Sequence, residues 1–156
     1  MTTKDDFTAE EWAQVSALPV LVTAGAAFAD GRKVVSTVRE IVSGQKALTE
    51  GIAKYPNNTL VQAFGEDGPN ADLSQGMKSK KVSDVVGALT EQIAAGWAVL
   101  KSKATPDEAS DVAELLKAVG LAAAQRTGSG PLGFGGDKVD ETERAFLDTL
   151  TGILAG

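Results

Sequence analysis

The stretch Thr105-Pro106-Asp107-Glu108 constrains the fold more tightly than any other in this chain. Threonine suits an N-cap, proline suits the first helical position, and two carboxylates meet the positive end of the helix dipole. Beyond it, Val112, Leu115, Leu116, Val119 and Ala123 recur at helical spacing and carry a helix to about Thr127. Ahead of it, Val85, Val86, Leu89, Ile93, Trp97 and Leu100 keep the same period from Val82 to Lys101. Two amphipathic helices flanking one sharp boundary commit this half of the chain to helix-on-helix packing.

The other half carries the same kind of punctuation. Thr8-Ala9-Glu10-Glu11 is a capping box, and Trp12, Val15, Pro19, Val22 and Ala26 continue at helical spacing behind it. Pro19 withholds one helical N–H, so the spacing predicts a break there and an end at Asp30-Gly31. Residues 33–54 read as a second helix, with Val34, Val35, Val38, Ile41, Val42 and Leu48 on one side. Tyr55-Pro56-Asn57-Asn58 stops it, and Asn58 is placed to cap a short helix from Thr59 to Phe64. Residues 65–72 have the composition of a loop. Ala145-Phe146, Thr149-Leu150 and Ile153-Leu154 mark the buried stripe of a last helix. No segment alternates as a strand would. The prediction is an all-α, single-domain bundle of five or six helices spanning residues 1–156, a length able to bury about two-thirds of the unfolded surface.

Composition removes whole classes of chemistry. The chain contains neither cysteine nor histidine, which excludes disulfides, thiolate nucleophiles, Cys/His zinc sites and imidazole bases. Carboxylates, lysines, hydroxyls and Tyr55 are the reactive groups that remain. The net charge of −6 predicts repulsion from nucleic-acid phosphates and anionic lipid, so neither is an expected partner. The start of the chain is acidic, and the longest apolar run, Ala17 to Ala29, reads as too short to span a bilayer. A cytoplasmic protein is expected.

Between the last two helices lies Gly128-Ser129-Gly130-Pro131-Leu132-Gly133-Phe134-Gly135-Gly136, which glycine and proline keep from being helical. It lacks Gly-Lys-Ser/Thr and follows no strand, so it is neither a Walker loop nor a dinucleotide fingerprint. Leu132 and Phe134 either plug the end of the bundle or contact a partner. Asp137, Asp140, Glu141 and Glu143 follow directly; oxygen ligands so clustered suit calcium, and helix capping explains Asp140 and Glu143 equally well. Lys78, Lys80 and Lys81 read as a solvated basic cluster, and Trp12 and Trp97 as core residues.

Ala27-Phe28-Ala29-Asp30-Gly31 and Gly136-Asp137-Lys138-Val139-Asp140-Glu141-Thr142-Glu143 loosely echo each other. Together they resemble the paired helix entries of tellurite-resistance TerB-like bundles. Phe7-Thr8-Ala9-Glu10-Glu11-Trp12, Lys103-Ala104-Thr105-Pro106-Asp107-Glu108 and Gly133-Phe134-Gly135-Gly136 make the chain similar to a group of uncharacterised bacterial helical proteins. The TerB resemblance implies an all-α bundle, an acidic cation-binding surface and a role in stress-response complexes.

Three functions follow as expectations. The first is a non-enzymatic, stress-related or scaffold-type interaction module that binds a protein partner or itself through Leu132 and Phe134, without a cofactor. The second is a calcium-binding protein using Asp137, Asp140, Glu141 and Glu143. The third is a small-molecule or lipid carrier with a cavity between alanine- and glycine-rich helices.

Overall fold

Leu18-Pro19-Val20-Leu21-Val22-Thr23-Ala24-Gly25-Ala26-Ala27 is apolar around its whole circumference, and such a helix is stable only when surrounded. In the computed structural model, which describes residues 1–29, 35–66, 82–127 and 141–156, it is the central element of an all-α bundle. The described helices are α1 (Ala9–Ser16), α2 (Leu18–Ala29), α3 (Val35–Ile52), α4 (Thr59–Glu66), α5 (Val82–Lys103), α6 (Pro106–Thr127) and α7 (Glu141–Ala155). A 3-10 turn, Lys4–Asp6, precedes them. Counting α1 and α2 as two halves of one broken helix gives six.

The α1–α2 break falls at Ala17, because Pro19 has no N–H to offer the Val15 carbonyl four residues back. Leu18 opens α2, so Pro19 occupies a first-turn position where the missing donor costs little. The two halves together span 21 residues, Ala9–Ala29, and by length and composition alone that is enough to cross a membrane. Of its most apolar stretch, 67% is buried inside the bundle.

Around α2 stand α3, α5, α6 and α7; α1 lies on α5, and α4 closes against α3 and α6. Leu18 and Val22 of α2, Ile93 and Leu100 of α5, and Leu115, Leu116 and Val119 of α6 are essentially inaccessible to solvent. Each such side chain contributes about 1.5–3 kcal/mol relative to exposure. The expected stripe of α7 narrows in the structure to Phe146, Leu150 and Leu154. Ala145 and Thr149 face solvent, and Ile153 is half-buried. The face at i, i+4 and i+8 is the one wholly covered, Glu143 lies one turn before it, and Leu147 and Ile153 pack partly against the core.

The caps form as the sequence indicates. Thr8 Oγ1 accepts from the Glu11 N–H at 3.2 Å, and the Glu11 carboxylate accepts from the Thr8 N–H at 2.8 Å. Asn58 Oδ1 accepts from the Val61 N–H at 3.2 Å and starts α4.

Two glycines let the helices approach closely. A Cβ at Gly96 of α5 would stand 2.8 Å from the Gln14 carbonyl oxygen, on backbone that cannot rotate away. A Cβ at Gly25 of α2 would stand 2.3 Å from the Phe146 ring. Gly87, also inside α5, has nothing within 4 Å of such a Cβ. Gly96→Ala is therefore expected to cost about 1–3 kcal/mol through overpacking. Gly87→Ala should instead gain about 0.5–1 kcal/mol through helix propensity. Urea unfolding of both variants checks the contrast; equal stabilisation would show that α1 and α5 do not cross so closely.

Candidate functional site

The residues singled out before α7 divide between described and undescribed chain. Leu132, Phe134, Asp137 and Asp140 lie outside the described residues, as do Lys78, Lys80 and Lys81. Glu141 and Glu143 open α7, where positions two apart are turned by about 200°. Glu141 is exposed, and Glu143 is wholly buried on the face that also carries Phe146. The structure therefore does not bring these two carboxylates together. Among the described residues, no group of three or more acidic side chains is placed to hold a metal ion. Trp97 is core, as expected, at 4% exposure. Trp12 is half-buried, stacked on Phe64 at 6.2 Å and tilted against Phe7 at 5.7 Å.

The densest polar network gathers instead on Glu108. The Thr-x-x-Glu spacing of Thr105 and Glu108 closes a capping box: Thr105 N–H donates to Glu108 Oε2 at 2.9 Å, and Glu108 N–H to Thr105 Oγ1 at 3.3 Å. The same carboxylate accepts from the backbone N–H of Thr2 at 2.7 Å and from the Thr2 hydroxyl at 2.8 Å. Thr59 in turn donates its hydroxyl to the Thr2 carbonyl. Asn58 Nδ2 bonds the Glu108 carbonyl and the Asp111 carboxylate, each at 3.1 Å. Partial burial pushes the Glu108 carboxyl up, but the N–H groups of Thr105 and Thr2 and both hydroxyls outweigh it and hold the carboxyl at about 2.

Lys103 fastens the same corner. Its ammonium donates to the Glu11 carboxylate at 2.6 Å and the Asp6 carbonyl at 2.8 Å, 5.4 Å from the centre of the Phe7 ring. Lys103 and the Thr8 N–H hold the Glu11 carboxyl below the ordinary carboxylate range. The Thr3 N–H and hydroxyl do the same for Asp6. All three carboxyls are kept ionised, which suits a clasp and opposes a proton donor at neutral pH. The cap spacings around Glu11 and Glu108 are visible in the sequence. The Thr2–Glu108 tie, 106 positions apart, has no local signal.

Two surface recesses complete the picture among the described residues. One, of about 450 Å³, lies between α5, α6 and α7. Its floor is the buried Trp97, Ala109, Ala113 and Leu154, and its rim includes Lys101, Glu114 and Lys117. Trp97 Nε1 is buried and has no hydrogen-bond partner among the described residues. Lys117 pairs with Glu114 at 2.9 Å, and Lys101 donates to the Gly156 carbonyl. The second recess, also about 450 Å³, lies at the opening of α7, between it, the end of α2 and the start of α5. Ala29, Val86, Ala145 and Phe146 line it together with Thr90, Thr142 and Thr149.

Because the Glu108 carboxyl lies at about 2 in the folded chain and near 4.5 otherwise, its contribution is present above 4.5 and is lost as pH falls towards 2. At neutral pH Glu108→Gln should cost about 2 kcal/mol, the scale of hydrogen bonds to a charged group. Thermal unfolding across pH should show the gap between wild type and variant closing on acidification. A constant gap would mean that the charge of Glu108 does not matter. Compared with known proteins, the chain matches no family model, no curated protein and no solved structure.

Proposed function

We propose that this chain is a non-catalytic, partner-binding helical module of scaffold or stress-related type, with its contact face at the α2–α5–α7 end. The observation that carries this reading is the recess there, whose described lining contains no ionisable side chain. Such a surface favours association through burial of apolar area rather than proton transfer. The ionised state of Asp6, Glu11 and Glu108 supports the same reading, since all three are committed to helix ends. Leu132 and Phe134, in the segment that enters α7, supply the apolar contact in this proposal. A second copy of the chain is the partner to test first.

Sedimentation velocity over a concentration series tests it. Self-association should disappear in Leu132→Ser/Phe134→Ser and in Ala145→Arg, an exposed position on the recess, while far-UV circular dichroism stays helical. Unchanged association in both variants would sink the assignment. Thermal unfolding with calcium tests the cation alternative in the same samples, because a ligand of the folded state must raise the midpoint. A rise that vanishes in Asp137→Asn/Asp140→Asn would transfer the function to the acidic entry of α7.

A further inference from the structure

Residues 2–7 lie on the bundle as a peptide ligand lies in a site. Of this stretch only Thr2 and Phe7 are buried; Thr3 is half-buried, and Lys4, Asp5 and Asp6 are exposed. Every polar group of Thr2 is met by another element. Its N–H donates to the Glu108 carboxylate of α6, and its carbonyl accepts from the Thr59 hydroxyl of α4. Its own hydroxyl stands 2.8 Å from the Glu108 carboxylate and 3.2 Å from the Lys103 carbonyl of α5. Lys103 also holds the far end, donating to the Asp6 carbonyl with its ammonium over the Phe7 ring. The Lys4–Glu66 pair between these ends, 3.8 Å long and exposed, adds little. A threonine and a phenylalanine five residues apart are thus the two points of attachment.

Each side of this contact is held in shape by bonds of its own. On the bundle, the Thr105 capping box fixes the Glu108 carboxylate, and Asn58 ties the start of α4 to α6 beside it. Glu108 Oε1 accepts from Thr2 alone among the described residues, so the site offers an ionised acceptor already in place. In the stretch itself, the Asp6 carboxylate accepts from the Thr3 N–H at 2.8 Å and the Thr3 hydroxyl at 3.1 Å, closing the 3-10 turn on itself. The backbone is extended at Phe7 (φ −104°, ψ 149°) and Thr8 (φ −67°, ψ 166°), so the turn does not run on into α1 as helix. A self-contained element attached at its two ends passes between copies at low cost, because each bond lost in one copy is regained in another.

We infer that the α4–α5–α6 corner is a peptide-binding site that accepts residues 2–7 of a second copy of this chain in place of its own. Glu108 and Thr59 take the threonine, and Lys103 takes the phenylalanine end. The site does not depend on the recess at the α7 entry. Val86 of that recess stands near the start of α5, whereas Lys103 is the last residue of the same helix.

A synthetic peptide of residues 1–8 with fluorescein at its C-terminal end is the probe. The receptor is the full chain carrying Thr2→Ala/Phe7→Ala, whose own stretch no longer fits the site. Fluorescence anisotropy should rise saturably with this double variant. Wild type should bind the probe at least about tenfold more weakly, because its tethered stretch competes at an effective concentration of about millimolar. Glu108→Gln added to the receptor, or Thr2→Ala in the peptide, should each weaken binding about tenfold, the loss expected for one hydrogen bond to a charged group. Absence of saturable binding to the double variant, equal affinity for wild type, or full affinity after Glu108→Gln would each overturn the assignment. If the double variant loses its helical circular dichroism, Thr2→Ala alone, which keeps Phe7 in the core, replaces it. Exchange between whole chains is read with a nitroxide on Met1→Cys, at an exposed position in a chain without other cysteines. Mixed with a ¹⁵N-labelled second copy, it should broaden the Asn58 side-chain amide of that copy, and an unbroadened resonance would overturn the exchange.

Discussion

The bundle depends on burying α2 from every side. From Leu18 to Ala27 this helix offers water almost nothing to hydrogen-bond, and only Val20 is partly exposed. Four helices must therefore converge on it, and they do so at close range because alanine and glycine occupy the crossings. Gly25 receives the Phe146 ring, and Gly96 brings α5 against the α1 backbone just ahead of the break. Thr23, the polar residue in the middle of α2, is satisfied locally by donating its hydroxyl to the Pro19 carbonyl at 2.8 Å. The core thus needs no buried charge within α2, and the scarcity of aromatic residues follows from how little room lies between the helices.

A second constraint acts at the end where the chain begins. Glu108 is at once a helix-capping residue and the anchor of Thr2, and Lys103 links the preceding helix to Glu11 and Asp6. The two residues flank the α5–α6 turn, so one corner gathers the chain start, α1, α4, α5 and α6. Ionised carboxylates that accept several N–H bonds make strong structural ties. The same bonds draw these groups away from catalysis.

Such packing leaves recesses of different chemistry open. The recess at the α7 entry is uncharged along its described lining, whereas the one above Trp97 combines an apolar floor with lysines. Their chemistry differs because the helices crossing at each end differ. α5 contributes Val86 and Thr90 to one recess and Trp97 and Lys101 to the other, so a single helix supplies both surfaces.

The helices were legible in the residues alone, because caps and periodicity are local. Thr8, Asn58, Thr105 and Pro106 start their elements where their chemistry says they should, and Val112 to Ala123 bury the face that their spacing marks. Absence of histidine and cysteine likewise settled which chemistries were closed. Which residues meet across the bundle came only from the folded arrangement. Glu143 reads locally as a helix cap, and the packing of α7 also buries it wholly. Trp97 reads as plain core and is core, yet among the described residues its Nε1 meets no hydrogen-bond partner. Thr2 and Glu108 are joined across 106 positions. Local signals arise from bonds a few residues apart, whereas a site is made by side chains from distant segments, and their meeting depends on helix-crossing geometry.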